Sequence, residues 1–307
     1  MLNKILERSG TLEVFLRKTV TAFAPLKKRI KHILKNKAKT ESPQIENIDQ
    51  IKKFKESLSG CGIKSGDIVI VHSSFDGLKN LGLSAEKIID LIFEVFPDST
   101  LVFAAYPIES GKKKGLYKYD PKNTICWTGV LPNIFLKKEG VIRSEFPYNS
   151  LSAAGKEAEA MMKDNLKSLR PHDMYSAWEF CRQRHAKILF LGTSSREANT
   201  MAIHMVPDIM GEKWPVERWY TQRKYLIKTD KGCIEKTIEI QDGFWYRYVN
   251  EYKTDKALKD SGLLRDISIN NTMIEIIDDS FKMMDFLTDR CGNGDLMYKI
   301  PKKFYKK

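Results

Sequence analysis

The sequence predicts an α/β fold. Short apolar runs, IVIV at 68–71, LVFAA at 101–105 and ILFL at 188–191, have the length and composition of strands buried on both faces. A segment with helical spacing, 84–96, separates the first two, so helices and strands alternate along the chain. With 307 residues, of which 42% are hydrophobic, the chain is long enough for one large domain.

Glycine, turn and N-cap residues mark the boundaries of the first predicted elements. Residues 48–63 have the spacing of an amphipathic helix that ends near two glycines. Gly66 and Asp67 form a turn before the first strand. Ser84 is a candidate N-cap for the helix over 84–96.

The second half predicts three further elements. The strand over 186–194 ends in a loop of small residues. Period-two alternation over 224–241, centred on Lys231-Gly232, predicts a β-hairpin. Residues 271–290 are predicted to form a helix, and a basic tail follows.

Residues 1–45 form a basic N-terminal arm and linker, separate from a domain over 46–307. Eleven Lys and Arg against three Glu give the arm a charge of +8, out of +13 for the whole chain. Pro25 should break its helical pattern, residues 26–37 form a basic amphipathic helix, and 36–47 are a linker. Two interpretations stay open: residues 1–39 contact an anionic membrane surface at its inner face, or they pack on the body or a partner.

Composition excludes several classes. The five cysteines are scattered and never form C-x-x-C, which argues against a disulfide framework and a structural zinc site. We expect a cytoplasmic protein without a metal. The body is only mildly basic, so no nucleic-acid partner is expected. G-x-S-x-G, H-E-x-x-H and G-x-G-x-x-G are all absent, which disfavours hydrolases, zinc proteases and Rossmann dehydrogenases.

Three loops are candidate site segments because ligands of open α/β sheets bind beyond the carboxyl ends of the strands. They are HSSFDG at 72–77, YPIESG at 106–111 and GTSSREANT at 192–200. Serine hydroxyls at 73 and 74 could hold a phosphate or a thioester carbonyl, or could satisfy their own loop. His172 and His204 could each remove a proton from an amine, or be structural.

Several segments together resemble the aminoglycoside 3-N-acetyltransferase family, also called the antibiotic N-acetyltransferase fold. They occur in the family's order over roughly 48–220: GDIVIVHSSF (66–75), STLVFAAYP (99–107), TGVLPNIFLKKEGVIRS (128–144), PYNSLSAAG (147–155) and ILFLGTSSREANTMAIH (188–204). The resemblance implies a mixed central sheet flanked by helices. It also implies an enzyme that transfers an acetyl group from acetyl-CoA to a primary amine on a sugar, by direct attack on the thioester.

The resemblance also assigns residues to roles. The CoA channel is expected to be lined by His72, Ser73, Ser74, Tyr106, Thr193 and Ser194. Asn199, Thr200 and His204 resemble the family's Asn-Thr…His segment beside the acceptor, although the spacing here is one residue longer than expected.

FPYNS at 146–150 departs from the family pattern. Antibiotic-modifying members carry H-P-T-H-S there, so Phe146 and Asn149 replace two histidines. An asparagine amide can orient an amine or an oxyanion, but it cannot act as a general base. The catalytic candidates are therefore His204, Asn149 and His172, with three alternatives: another histidine takes the proton, positioning suffices, or the activity is lost.

The acceptor is the least determined part of the prediction. Aminoglycosides are polycations and favour an acidic site, whereas this chain is basic. We therefore expect a nucleotide-linked amino sugar of cell-surface polysaccharide synthesis, with Trp214 and Trp219 for stacking and Arg218 and Arg223 for phosphate, or alternatively these side chains simply pack. Other possibilities are an aminoglycoside 3-N-acetyltransferase and a non-catalytic member that binds CoA or a glycan. A homodimer is a further open expectation.

Overall fold

The computed structural model describes residues 6–7, 9–22, 47–111, 115–269 and 271–306. Its helices are Gly10–Ala22 (α1), Ile48–Ser59 (α2), Ala85–Val95 (α3), Val130–Phe135 (α4), Ala158–Met162 (α5), Ala177–Gln183 (α6), Ser195–Ala198 (α7), Thr200–Met210 (α8), Glu251–Asp260 (α9) and Ser280–Gly292 (α10). Short 3₁₀ turns include Phe75–Leu81 and Gly243–Tyr248. Its strands are Ile68–Ser73 (β1), Thr100–Ala104 (β2), Leu116–Tyr119 (β3), Ile142–Arg143 (β4), Leu151–Ala154 (β5), Lys187–Leu191 (β6), Tyr220–Thr229 (β7), Gly232–Gln241 (β8), Leu264–Asp266 (β9) and Ile274–Ile277 (β10).

A seven-stranded sheet forms the centre, in the order β4-β5-β2-β1-β6-β10-β9. The central strand β1 pairs in parallel with β2 and β6, whereas β5 and β10 join antiparallel. This confirms the predicted mixed sheet. Strands β1, β2 and β6 point in the same direction. The loops that follow them therefore lie together beyond the carboxyl ends of the strands, at one end of the sheet.

Each face of this sheet is covered by helices, because its central strands are apolar on both sides. Ile70, Val102 and Phe190 share a core with α6, α8 and α10. The alternating residues Val71 and Phe103 share a second core with α2, α3 and α4. The central strands are thus buried on both faces, as their continuous apolar runs predicted.

The predicted boundaries largely hold, with two corrections. Ser84 caps α3 through a hydrogen bond from the Lys87 amide (3.2 Å). The segment 271–290, however, is not one helix: it contains β10 and only then α10, because the run IEII pairs with β6. In the hairpin β7–β8, Thr229 pairs with Gly232, so the turn is centred on 230–231, one residue earlier than predicted.

A second, three-stranded sheet lies beside the first. The hairpin β7–β8 is extended by β3, which pairs in parallel with β7. Tyr119, Tyr225, Ile227 and Ile238 form its small core. This sheet brings β7 and the end of β8 to the end of the large sheet where the loops after its parallel strands lie.

The N-terminal helix α1 packs on the body. Its Glu13 carboxylate accepts hydrogen bonds from the backbone amides of Glu251 and Tyr252 (2.9 and 3.2 Å), which caps α9. Arg17 donates to both Glu13 and Glu251. For this part of the arm, packing on the body is therefore the better interpretation. The predicted break at Pro25, the basic helix over 26–37 and the linker up to 46 lie outside the described residues. The domain boundary at 45 stays a prediction.

The described part of the chain has no helix long and apolar enough to cross a membrane. In the same residues, no group of three or more His, Cys, Asp or Glu side chains is arranged to hold a metal ion.

Two glycines let the loops after β1 and β6 touch backbone to backbone. A Cβ on Gly77 would lie 2.0 Å from the Gly192 carbonyl oxygen, and Gly192 itself has a positive φ of 65°. We expect Gly77→Ala to lower the free energy of unfolding by about 3 kcal/mol, because one of the two loops must move. Gly292→Ala is the matched control: no atom lies within 4 Å of its Cβ, so its effect should stay within about 0.5 kcal/mol. Urea unfolding of both variants measures the difference, and equal midpoints would refute the argument.

Candidate active site

A cleft of about 490 Å³ opens between the two sheets. Its walls come from the loop after β2, the segment before β5, helix α8, strand β7 and the 3₁₀ turn Gly243–Tyr248. The lining residues are Tyr106, Pro107, Ile108, Glu109, Trp127, Pro147, Tyr148, Asn149, His204, Arg223 and Tyr246. The cleft is therefore mainly aromatic and apolar, with one histidine and one pair of opposite charges.

His204 is the titratable group best placed for proton transfer, and a hydrogen-bond chain fixes its tautomer. Tyr298 donates to the Ile203 carbonyl oxygen (2.9 Å), so its hydroxyl accepts from the Gln241 side-chain amide (2.9 Å). The Gln241 oxygen then faces His204 Nδ1 at 2.6 Å. Because that oxygen can only accept, Nδ1 carries the proton and Nε2 keeps its lone pair.

Burial keeps His204 neutral. Its pKa falls to about 3, first because the surrounding protein disfavours the charged ring and second because His172 lies nearby; the bond to Gln241 opposes the shift. The two imidazoles stack in parallel with centroids 6.0 Å apart. A neutral Nε2 can accept a hydrogen bond from an amine throughout the physiological pH range.

His172 lies below the cleft floor, in a polar cluster with Asp208. Its Nδ1 is 3.5 Å from the Asp208 carboxylate, and its Nε2 is 3.5 Å from the Asn149 side-chain amide. Asp208 also accepts from the Tyr220 hydroxyl (2.5 Å) and lies 3.8 Å from the Arg170 guanidinium. The His172 side chain is only 3% exposed, and Asn149 separates it from the cleft. His204 is therefore the histidine that an acceptor meets.

Asparagine suits position 149 partly because of the backbone conformation there. Its φ of 48° is left-handed, a conformation that asparagine tolerates better than most residues. The Trp178 indole donates to its carbonyl oxygen (2.8 Å) and holds the turn in place. The side-chain amide thereby stands between His172 and the cleft.

Two substitutions separate the amide of Asn149 from its backbone. Asn149→Gly keeps the left-handed conformation and removes the amide, so we expect it mainly to raise the acceptor's KM, with kcat changed only a few-fold. Asn149→Ala should do the same and also lower the free energy of unfolding by about 1 kcal/mol. Steady-state kinetics and urea unfolding test both. A kcat loss of about a hundredfold in the glycine variant would show instead that the amide acts in the chemical step.

Four of the predicted CoA residues meet at the ends of β1 and β6. Ser73 and Ser194 have buried hydroxyls without a partner in the described structure, which suits groups awaiting a ligand. The Thr193 hydroxyl donates a long hydrogen bond to the Glu197 carboxylate (3.4 Å). Ser74 begins the 3₁₀ turn and its amide donates to the Leu191 carbonyl oxygen (2.9 Å). These positions fit hydrogen bonding to acetyl-CoA; that role stays a prediction.

His72 is separated from those serines. Its ring lies in the core between Phe190 and Trp178, with centroid distances of 5.4 and 6.3 Å, and Ser73 points to the opposite face of the strand. Desolvation lowers the pKa of His72 to about 4. The structure thus gives it a packing environment rather than a wall of the CoA channel.

Three other predicted residues serve each other or the backbone. Tyr106 lines the cleft, and its hydroxyl donates to Thr200 (2.7 Å). Asn199 is 2% exposed and caps α8 by accepting from the Ala202 amide (3.1 Å). Asn199 and Thr200 therefore shape the helix that carries His204, and neither lines the cleft.

Trp214 and Trp219 do not offer a stacking surface. They are 2% and 3% exposed and pack against each other with ring centroids 4.8 Å apart. Trp219 reaches only the buried space under the cleft floor. The aromatic faces that are open to an acceptor belong to other residues.

Several site residues were missed by the sequence reasoning. They are Trp127, Tyr246, Asp208, Gln241 and Tyr298. Only one carried a usable signal: Trp127 is 65% exposed and directly precedes the TGVLPNIF segment of the family resemblance. The other four are spread between positions 208 and 298, and only the fold brings them together.

A larger groove of about 970 Å³ lies away from this chemistry, between the tip of the β7–β8 hairpin and α5. Its wall has acidic and basic side chains in equal number, among them Glu145, Glu159, Lys163 and Lys228, and no histidine. The smaller cleft is the better candidate because it alone of the two contains a histidine, the side chain that most often removes a proton near neutral pH.

Comparison with known proteins also supports an acetyltransferase. Residues 70–290 match the family model described as aminoglycoside 3-N-acetyltransferase. No curated protein matches the sequence. The family match confirms the resemblance and the predicted enzyme class, an N-acetyltransferase.

Solved structures share the fold. The AAC(3)-IVa apoenzyme is 20% identical, with 86% of this chain and 95% of that chain covered and a TM-score of 0.66. AAC(3)-Xa is 16% identical, with 80% and 93% covered and a TM-score of 0.69. AAC-IIIb, solved as a binary complex with CoASH, is 18% identical, with 82% and 98% covered and a TM-score of 0.65. These likenesses confirm the predicted fold class.

Proposed function

The chain belongs to the aminoglycoside 3-N-acetyltransferase family, and from this we propose that it transfers an acetyl group from acetyl-CoA to the amine of an amino sugar. We further propose that the sugar is nucleotide-linked and belongs to cell-surface polysaccharide synthesis. The observation that carries the reaction is the neutral His204, which lines a cleft large enough for a sugar ring and whose Nδ1 is occupied by Gln241. AAC-IIIb was solved with CoASH, which supports acetyl-CoA as co-substrate here.

In the proposed mechanism the protein positions two substrates and moves one proton. The amine donates a hydrogen bond to His204 Nε2. This bond orients the amine so that the lone pair of the amine nitrogen points toward the thioester carbon. As the N–C bond forms, the nitrogen gains positive charge, and its proton passes to Nε2. The C–S bond then breaks, and the leaving thiolate takes that proton as free CoA thiol. No covalent enzyme intermediate is required.

The low pKa makes His204 a weak base, so it takes the proton only as the N–C bond forms and the nitrogen becomes strongly acidic. An uncharged amine must attack, and a neutral imidazole does not repel the positive charge that develops on nitrogen. The Gln241–Tyr298 chain holds the ring in the required tautomer. Asn149 borders the same space and can orient the amine or the oxyanion through its amide.

The charge of the cleft bears on the acceptor. Variants of AAC(3)-IVa were solved in complex with a gentamicin and with apramycin. In the present cleft the described lining contains one carboxylate, Glu109, and it is already paired with Arg223. A polycation would find no free negative charge there, so an antibiotic is the second candidate. A member that binds CoA or a glycan without turnover is the third.

The proposed location is the cytoplasm, at the inner surface of a membrane. Its support is the charge of +8 on residues 1–45, which suits anionic lipid. Against it, α1 is bound to α9 through Glu13 and Arg17. A homodimer stays a proposal without a structural argument.

A thiol-release assay tests the function. Acetyl-CoA is offered with a panel of nucleotide-linked amino sugars and, in parallel, with kanamycin and gentamicin. Turnover with a nucleotide-linked sugar alone supports the proposal and identifies the acceptor. Turnover with the antibiotics alone overturns the charge argument. CoA binding without turnover on any acceptor supports the non-catalytic alternative.

A further inference from the structure

We propose that Arg223 selects acceptors that carry an anionic group in addition to the reactive amine, and that Glu109 occupies the place of that group when the cleft is free. The inference rests on the proposed function, because it takes the cleft as the acceptor site. It names the chemistry of the acceptor: an amino sugar with a carboxylate or a phosphate.

The described lining of the cleft holds one pair of opposite charges. Among the described lining residues, Arg223 is the one permanent cation and Glu109 the one carboxylate. They form an ion pair with each other. The Arg223 and Glu109 side chains are 24% and 28% exposed, so an incoming ligand can reach both.

The two partners are not held equally. Arg223 lies on β7 within the second sheet, and its guanidinium stacks on the rings of Tyr117 and Tyr148 at 5.1 and 5.5 Å. Glu109 lies in the loop after β2, and besides Arg223 it accepts from the Tyr225 hydroxyl at 3.3 Å. The cation is thus the fixed group, and the loop carboxylate is the one that can be displaced.

Two tyrosine rings connect Arg223 to the catalytic candidate His204. Tyr148 is in contact with Arg223, its hydroxyl is 3.3 Å from that of Tyr246, and the Tyr246 ring meets the His204 ring edge-on at 5.5 Å. Two aromatic side chains therefore separate the proton acceptor from the guanidinium. An acceptor lying on these rings can direct its amine to His204 and an anion to Arg223.

A planar guanidinium suits this task because it binds a carboxylate or a phosphate through two parallel hydrogen bonds. The anion could be the carboxylate of a uronic acid or the phosphate of a nucleotide-linked sugar. Both sources share the chemistry that Arg223 recognises, so the experiment must separate them.

The test measures affinities calorimetrically for three probes: methyl glucosaminide, glucosamine 1-phosphate and 2-amino-2-deoxyglucuronic acid. The variants are Arg223→Gln and Glu109→Gln. The matched control is Lys224→Gln, the next residue on β7, which points to the other face and pairs with Glu235 (2.6 Å). Circular dichroism confirms that each variant is folded.

We expect opposite effects from the two variants. Arg223→Gln should weaken binding of an anionic probe about tenfold and leave the neutral glycoside within about twofold, because a charged hydrogen-bonded contact is lost. Glu109→Gln should tighten the anionic probe about threefold, because the competing carboxylate is removed. The control should match the wild type. A response of the phosphate probe alone assigns the phosphate, and a response of the uronic acid alone assigns the carboxylate.

The proposal is overturned if the wild type binds neither anion more tightly than the neutral glycoside, or if Arg223→Gln weakens all three probes equally. These results concern affinity and leave the reaction itself to a separate readout. Release of CoA thiol from acetyl-CoA with methyl glucosaminide, the probe without an anionic group, would then show that the proposed acetyl transfer stands while the role of Arg223 fails.

Discussion

We expect His204→Ala to lower turnover by about 10²–10⁴-fold with little change in CoA binding. The variant removes the Nε2 lone pair that receives the amine proton, and it leaves the loops after β1 and β6, where CoA is expected, untouched. Thiol release and calorimetric CoA binding measure the two effects separately. Because His204 stays neutral in the free protein, the pH dependence of the wild-type enzyme should follow deprotonation of the acceptor amine rather than a histidine titration near pH 6.5.

Two further variants make this result specific. Gln241→Leu removes the oxygen that fixes the His204 tautomer, so turnover should fall by a smaller factor, about tenfold. His185→Gln is the control, because that ring is 57% exposed and pairs with Asp279 on the surface. Unchanged turnover in His204→Ala would dismiss His204 as the proton acceptor and direct attention to His172.

The second large effect is a loss of stability in mild acid. His72 is 6% exposed and its pKa falls to about 4 from an ordinary 6.5, since burial disfavours the charged ring. Above pH 6.5 the ring is neutral in both states and contributes no penalty. Below it, the unfolded chain takes up a proton that the folded chain refuses, so the free energy of unfolding falls by about 2 kcal/mol by pH 5. His204, with a pKa near 3, adds to the loss in the same direction.

Urea unfolding at pH 8, 6.5 and 5 tests the acid effect. The slope of stability against pH should be shallower in His72→Leu, because the ring whose pKa burial lowers to about 4 is no longer present. Equal slopes in wild type and His72→Leu would contradict the assignment.

The fold could be predicted because its signals are local. The apolar runs of β1, β2 and β6, the Ser84 cap and the alternation in the hairpin each lie within about twenty consecutive residues. The strand β10 was mistaken for helix because a four-residue strand that ends two residues before a helix is too short to show a period of its own. Its pairing with β6 decided the structure, and that contact is distant in sequence.

The site could be predicted only in part. The sequence proposed His204, Asn149 and Tyr106 because they lie in loops or segments that the resemblance marks, and the structure places these three candidates in one cleft. Gln241 and Asp208 could not be found, since a glutamine ending a strand and an aspartate within a helix carry no local sign of contact with a histidine. Trp214 and Trp219 show the opposite error: an aromatic pair suggested stacking on a ligand, but the rings fill the core.

The most direct test of the account is to quantify both products of one reaction. Wild-type protein and His204→Ala are incubated with acetyl-CoA and the acceptor that the panel identifies, and free thiol and N-acetylated sugar are measured together by mass spectrometry. The account predicts equal amounts of thiol and acetylated amine from the wild type and at least about a hundredfold less of both from the variant. Thiol release without an acetylated amine, or equal product from the two proteins, would contradict acetyl transfer at the His204 cleft.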